Sequence, residues 1–329
     1  PVPDLQRILE TLWSRRPQPP LDLPRSLRAA LEKALPTLGP GSGVCPARPA
    51  APTNPEDEFL HELLPDKIVF LRPGALSPKT VPLFTAALRD ASQIAARGII
   101  LDLRHNRSES PFALAAELAS FLTPPGTLLF QAKNAASGKS SPVQGASPRM
   151  LLAPLVVLLD SSTTGCAEVL AACLRVHAGA FLIGSTTAGQ AAEYSFLPLS
   201  ENRFFRFPTA EAVFETLPAL FPNGLSPDLP VPVSEETAET LRAWSQKLRK
   251  VSPLISAPSY SRFNEAALIA GTNPDTERWI ADQLARKLPP APPAEKPPQD
   301  KVLCRALDFL TARQALLTPQ NHAPASATP

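Results

Sequence analysis

Short apolar runs alternate with amphipathic segments through the middle of the chain. Runs with the length and β-branched content of buried strands lie at residues 67–71, 98–103, 155–159 and 181–183. Between them, apolar residues recur at helical spacing at residues 77–97, 110–122 and 164–178. The repeated strand–helix–strand order predicts an α/β fold built on a parallel sheet with right-handed crossovers.

The two ends of the chain have a different pattern, which predicts helices joined by proline-rich linkers. At the N-terminal end we expect short amphipathic helices at 4–16 and 26–35, followed by a linker at 36–55. At the C-terminal end we expect helices at 235–251, 275–288 and 302–317, a stiff linker at 288–298 and a disordered tail beyond 319.

These patterns divide the chain into three regions. Residues 1–55 form an N-terminal region of helices and linker, residues 56–234 the α/β core, and residues 235–329 a C-terminal helical extension. Within the core, the Ser-, Gly- and Lys-rich residues 131–150 predict a mobile loop.

Composition narrows the class of protein. Of 329 residues 41 are proline, yet residues 83–110 and 155–197 contain none, so regular structure is expected to be continuous there. Hydrophobic residues make up 44% of the chain, which excludes a wholly disordered protein. The net charge is only +2 and no basic stripe occurs, so nucleic acid is not an expected partner. The apolar runs are shorter than the roughly 20 residues of a transmembrane helix.

The four cysteines show no metal-binding pattern, because they form neither a Cys-x-x-Cys pair nor a cluster with histidine. We therefore expect no metal and no cofactor. Cys166 and Cys173 are too far apart along a predicted helix to form a disulfide, whereas a Cys45–Cys304 disulfide is left open by the sequence.

Parallel sheets place functional groups at the carboxyl ends of their strands. Two such ends can be read from the sequence, one after residue 103 and one after residue 159. The candidate cleft and binding residues that follow them are Arg104, His105, Asn106, Arg107, Ser108, Glu109, Thr163, Thr164, Cys166 and Glu168.

Four segments around these strand ends resemble one family. Residues 98–106 (GIILDLRHN) and 155–168 (LVVLLDSSTTGCAE) are similar to the G-L-I-L-D-L-R-G-N and P-L-V-V-L-V-N-x-x-S-A-S-A-S-E segments of the carboxyl-terminal processing (tail-specific) serine peptidases. Residues 180–189 (AFLIGSTTAG) and 224–228 (GLSPD) resemble two further segments in the same order.

The resemblance extends over roughly half of the chain and implies a crotonase-like/Clp-protease-like α/β core. It also implies serine-type endopeptidase chemistry, peptide or protein partners, and a place in the cell envelope, the periplasm or the exterior of a bacterium. The gap of about 30 residues between the predicted N-terminal helices and Lys67 is mostly linker, so we expect it to lack the PDZ module that the family usually carries there.

The chain departs from the family pattern at the positions that carry the chemistry. The family's serine nucleophile falls on Gly165, its activating lysine on Gln190 and its assisting glutamine on Tyr194. Glycine has no side chain to attack with, and an amide is not a base. The oxyanion loop N-P-G-G becomes residues 106–109, where Glu109 adds negative charge close to a developing oxyanion.

Other roles remain open for the candidate residues. Cys166 at a helix start is a possible nucleophile if His105 from the neighbouring strand acts as its base, although a small buried residue is the simpler interpretation. Thr163 and Thr164 are expected to cap the helix, and Glu168 to lie in its first turn. Arg104, Arg107 and Glu109 are expected to line the cleft, where they could bind a peptide carboxylate.

The sequence therefore predicts a catalytically inactive homologue of the carboxyl-terminal processing peptidases, whose cleft binds or scaffolds a peptide or protein. One alternative is an active hydrolase with a rearranged site that uses Cys166 or Thr164 as its nucleophile. A second alternative is a structural subunit of a cell-envelope assembly. The oligomeric state is left open.

Overall fold

The computed structural model describes residues 41–45, 59–198, 203–255 and 297–317. The helices predicted at residues 4–16, 26–35 and 275–288 lie outside the described residues, as does most of the linker predicted at 288–298. The proposed domain boundaries after residues 55 and 234 stay predictions.

Strands and helices alternate along the core. In chain order, the strands are β1 (Gly43–Cys45), β2 (Leu60–Leu64), β3 (Ile68–Arg72), β4 (Gly98–Asp102), β5 (Arg107–Ser108), β6 (Leu128–Asn134), β7 (Ser140–Gln144), β8 (Leu155–Leu159), β9 (Thr164–Gly165), β10 (Phe181–Gly184), β11 (Ala192–Pro198), β12 (Phe204–Val213) and β13 (Leu229–Pro230). The helices are α1 (Thr80–Gln93), α2 (Phe112–Ser120), α3 (Cys166–Ala178), α4 (Leu220–Asn223), α5 (Glu235–Leu248) and α6 (Lys301–Leu317), with 3-10 turns at Pro65–Lys67 and Ser252–Leu254.

The largest sheet has the strand order β13-β10-β8-β4-β3-β2. Its strands from β13 to β3 run parallel to their neighbours, which confirms the predicted parallel sheet. The edge strand β2 was not predicted and runs antiparallel to β3.

Both faces of this sheet are covered, which is why β3, β4 and β8 are apolar at nearly every position. Leu101 and Val157 belong to a core that includes apolar side chains of α1, α2 and α3. The alternate positions Ile100 and Val156 belong to a second core that includes Leu303 of α6. The C-terminal helix therefore covers one face of the central sheet.

A second sheet is antiparallel and has the order β1-β12-β6-β7, with β11 paired to β12. Its hairpin β6–β7 shows that the mobile loop predicted for 131–150 is wrong over residues 131–144. Gly138 adopts a left-handed conformation (φ 68°) in the turn, and its N–H donates to the Asn134 carbonyl at 2.9 Å. Nearly all of β7 is exposed, so the strand lacks the apolar alternation that predicts one.

A buried ion-pair network ties β4 to the C-terminal helix. Asp102 is 1% exposed and pairs with Arg72 (Nη2–Oδ2 2.7 Å) and Arg104 (Nε–Oδ1 2.9 Å). Arg104 also pairs with Asp300 (Nη2–Oδ2 2.7 Å), whose carboxylate accepts hydrogen bonds from two backbone N–H groups in the first turn of α6. Burial alone would raise the pKa of Asp102, but the Arg104 and Arg72 guanidinium groups overcome it and hold that pKa well below its ordinary value.

Asp102→Asn should strongly destabilise the fold, because two buried guanidinium groups would share no counter-charge on β4. We expect a loss of about 3–5 kcal/mol in the free energy of unfolding, measured by urea denaturation near pH 7. The folded pKa of Asp102 lies below its unfolded value, so its stabilisation is present above about pH 4 and fades as the pH falls further.

The matched control is Asp90→Asn on the exposed face of α1, for which we expect a change within about 0.5 kcal/mol. Equal losses in the two variants, or a gap between wild type and Asp102→Asn that does not narrow below about pH 4, would contradict the role given to this network.

Candidate functional site

The two predicted strand ends meet in the structure. β5, which follows β4, pairs in parallel with β9, which follows β8, so that Arg107 lies opposite Thr164 and Ser108 opposite Gly165. The Thr164 N–H donates to the Asn106 carbonyl at 2.8 Å. The loop expected to carry an oxyanion site is therefore paired directly with the turn expected to carry a nucleophile.

Gly165 lies in a conformation that leaves no room for a side chain. Its backbone has φ 59° and ψ −122° at the start of α3. A Cβ placed on Gly165 would lie 2.5 Å from the carbonyl oxygen of Ser108, closer than real Cβ contacts come. Strained turns do carry nucleophiles in hydrolases, so the conformation alone excludes nothing, but the Ser108 carbonyl fills the space that a serine would need.

Glu168 links this turn to the loop that carries the base position. Its Oε2 accepts hydrogen bonds from the backbone N–H groups of Gly165 (2.9 Å) and Gln190 (2.8 Å). Its Oε1 accepts from the Thr187 hydroxyl (2.5 Å) and the Gly189 N–H (2.8 Å). Burial raises the pKa of Glu168, and the four hydrogen bonds oppose that rise. Glu168 does lie in the first turn of α3, but its carboxylate is an internal connector rather than a ligand-facing group.

Arg206 of β12 occupies the space in front of the base position. Its guanidinium lies over the Tyr194 ring, 3.6 Å from the ring centre, and donates to the Gln190 side-chain oxygen at 3.4 and 3.5 Å. It also forms an ion pair with Glu109 (Nε–Oε1 2.9 Å) and donates to the Gly41 carbonyl at 2.6 Å. Burial raises the pKa of Tyr194 to about 12, so its hydroxyl stays protonated.

Arg206 was missed by the sequence reasoning. It lies on a strand that was not predicted, far along the chain from the other site residues. The short aromatic–polar–aromatic alternation at 205–207 (FRF) is the local signal that could have indicated this strand.

The remaining cleft is a pocket of about 310 Å³ between the two loops. Its lining includes the charged residues Arg107, Glu109 and Arg206 and the hydroxyl groups of Ser161, Ser162 and Thr164. Charged groups and hydroxyls of this kind suit hydrogen bonds to a polar ligand or a peptide backbone.

Several predicted cleft residues are used inside the protein instead. Arg104 is held by Asp102 and Asp300 and does not line the pocket between the two loops. The Ser108 hydroxyl is buried and donates to the Leu76 carbonyl at 2.7 Å.

Asn106 and Thr163 are likewise buried and turned inward. The Asn106 amide donates to the Gly74 carbonyl, and the Thr163 hydroxyl donates to the Leu103 carbonyl at 3.0 Å. The polar side chains of Asn106 and Thr163 therefore hold the two loops in place by hydrogen bonds to backbone carbonyls.

The proposed Cys166–His105 pair is not supported by the geometry. Cys166 is 1% exposed, its thiol lies 3.7 Å from the Pro111 carbonyl, and burial raises its pKa to about 12. His105 contacts Asp160 instead. The backbone N–H of His105 donates to the two carboxylate oxygens of Asp160 at 3.0 and 3.1 Å, and the ring Nε2 lies 3.5 Å from Oδ2.

The open question of a Cys45–Cys304 disulfide is settled, because all four cysteines are free. Over the described ranges, no cluster of three or more His, Cys, Asp and Glu side chains is placed to hold a metal ion. Within the same ranges, no helix is both long and apolar enough to cross a membrane.

A family model for the peptidases matches this region of the chain, from residue 71 to residue 231, and is described as Peptidase family S41. Residues 71–231 are a peptidase family S41 domain. The suspected resemblance to the carboxyl-terminal processing serine peptidases is thereby confirmed at the level of the family.

Solved structures similar to the chain include members of this class. A photosystem II D1 C-terminal processing protease shares 21% identity at a TM-score of 0.43, over 58% of this chain and 47% of that one. A lipoprotein from Streptococcus agalactiae shares 15% identity at a TM-score of 0.48, over 69% and 83% of the two chains. Mature CPAF shares 16% identity at a TM-score of 0.42, over 56% and 50%.

The chain spans about half the length of the D1 processing protease that it matches. A comparison with the curated proteins gives no match.

A serine at Gly165, where the sequence comparison expects the family's nucleophile, should cost more stability than the same change at a glycine with open space. Gly138 has a similar positive φ (68° against 59°), but a Cβ there meets nothing within 4 Å. We expect Gly165→Ser to lower the free energy of unfolding by about 1–3 kcal/mol more than Gly138→Ser, because only the first must displace a backbone carbonyl.

Urea denaturation of both variants measures this difference. Equal losses would show that the Ser108 carbonyl moves aside freely and that the turn can accept a nucleophile.

Proposed function

We propose that this S41 domain performs no serine peptidase catalysis and that its former active-site cleft binds peptide or protein segments. The observation that carries the proposal is the Ser108 carbonyl oxygen, which occupies the space of a nucleophile side chain at Gly165. Without a nucleophile, a peptidase cleft retains only its capacity to bind.

The base position supports the same conclusion. Gln190 offers an amide, which cannot take a proton from a hydroxyl at neutral pH. The Arg206 guanidinium donates to the Gln190 side-chain oxygen at 3.4 Å, so the amide acts there as a hydrogen-bond acceptor for a cation and not as a proton acceptor.

Neither rival nucleophile has the partners that it needs. The Cys166 thiol has a pKa of about 12, so it is almost entirely protonated at neutral pH and therefore a poor nucleophile. Thr164 lines the cleft, but a hydroxyl needs a neighbouring base to become a nucleophile. At the position where the family has its lysine base, this chain has the Gln190 amide.

Binding is favoured by the chemistry of the cleft lining. Arg107 and Arg206 offer hydrogen-bond donors, Glu109 offers acceptors, and the hydroxyls of Ser161 and Ser162 offer both. An extended peptide presents backbone N–H and C=O groups in alternation, which this mixture can satisfy. A location in the bacterial cell envelope rests on the resemblance to the tail-specific peptidases.

The test uses fluorescein-labelled unfolded casein with the wild-type protein. We expect a rise in fluorescence anisotropy on binding and no release of small peptides during prolonged incubation. Ser161→Trp places a large ring at the mouth of the cleft from an exposed position and should weaken binding at least tenfold.

The matched control is Ser92→Trp on the exposed surface of α1, which should bind casein as the wild type does. Casein hydrolysis that disappears in Thr164→Ala or Cys166→Ala would overturn the non-catalytic assignment. Unchanged casein affinity in Ser161→Trp would overturn the assignment of binding to this cleft.

A further inference from the structure

A second pocket, of about 200 Å³, lies at the carboxyl ends of β3 and β4 beside α5. Its lining contains five arginines and one histidine, and none of its lining residues is acidic: Arg72, Arg104, His105, Arg107, Arg242 and Arg249 supply the cationic and titratable groups. Ligands of parallel α/β sheets bind beyond these strand ends.

Two of the arginines form a neutralised and rigid floor. Arg72 directs two guanidinium nitrogens to Asp102 and the third to the Ser245 hydroxyl at 2.5 Å. Arg104 is divided between Asp102 and Asp300. Two buried carboxylates thus balance two guanidinium charges, and neither arginine contributes net charge to the pocket.

Arg107 and Arg242 carry charge that is not balanced in this way. The side chain of Arg107 donates to the neutral Ser162 hydroxyl at 3.3 Å. The side chain of Arg242 forms no hydrogen bond or ion pair in the part of the chain that the structure describes, although its charge acts on His105.

Asp160 is paired with His105 and lines a neighbouring pocket together with Glu235 of α5. Neither of these carboxylates lines the pocket that contains Arg107 and Arg242. The pocket therefore has a surplus of positive charge at its mouth and an ordered, hydrogen-bonded floor.

We propose that this pocket binds a small oxyanion group, a phosphate or a carboxylate, through Arg107 and Arg242. Guanidinium groups form charge-assisted, paired hydrogen bonds with both anions. The floor that Asp102 holds in place reduces the ordering that binding requires. This proposal concerns a pocket separate from the cleft and does not depend on the proposed function.

The first test is isothermal titration calorimetry of the wild-type protein with inorganic phosphate in a low-salt buffer that contains no other oxyanion. We expect saturable binding to one site, weakened at least tenfold by Arg242→Gln and partly restored by Arg242→Lys, which keeps the charge. Arg89→Gln, the same change at an exposed position of α1, should leave the affinity within twofold.

A second arm distinguishes the two sources of the anion. Acetyl-Ala-Ala with a free carboxylate and its carboxamide are titrated in the same buffer. If the free acid competes with phosphate and the carboxamide does not, the pocket accepts a terminal carboxylate. If phosphate binds and neither peptide competes with it, the pocket is specific for phosphate. Either result supports an oxyanion site.

Three outcomes would overturn the proposal: no saturable binding of either anion, equal affinity in wild type and Arg242→Gln, or an equal loss in Arg242→Gln and Arg89→Gln. Acidic residues precede Phe59 in the sequence, at positions 56–58. Phosphate binding that occurs only when Glu56, Asp57 and Glu58 are changed to their amides would also overturn it, because the pocket would then serve a carboxylate of its own chain.

Discussion

The carboxylate of Glu168 is the interaction on which the rest of the site depends. It accepts hydrogen bonds from the turn at Gly165 and from the loop at Thr187–Gln190, and so holds together the two segments that would carry a nucleophile and a base. With the turn fixed in this position, the Ser108 carbonyl closes the space above Gly165. The residues that Glu168 holds in register are Gly165 and Gln190, where the sequence comparison expects a serine and a lysine.

Ion pairs surround the turn on both sides. Arg206 fills the space beside Gln190 and pairs with Glu109, which satisfies a negative charge that would otherwise oppose an oxyanion. On the other side of the same loop, Asp102 and Asp300 neutralise Arg72 and Arg104. Arg107 lies between these regions and lines both pockets, so the loop 106–109 separates the two proposed binding sites.

The strands that could be predicted from the sequence are those that are buried on both faces. β3, β4 and β8 have both faces covered, and their continuous apolar runs report this directly. β7 and β12 have exposed or half-buried positions, so their patterns carry little signal. Glu168 was placed correctly at the helix start, but its partners come from a loop about 20 residues later, which helical spacing cannot indicate. Arg206 reaches the site only through pairing within the second sheet.

The central claim is that the cleft of this S41 domain contains no activated nucleophile. The most direct measurement is intact-mass and peptide mass spectrometry after exposure to a fluorophosphonate probe, which reacts covalently with activated serine and threonine hydroxyls. The account predicts no adduct on the chain under conditions that fully label an active serine peptidase. A stoichiometric adduct on Thr164, Ser161 or Ser162 would contradict it.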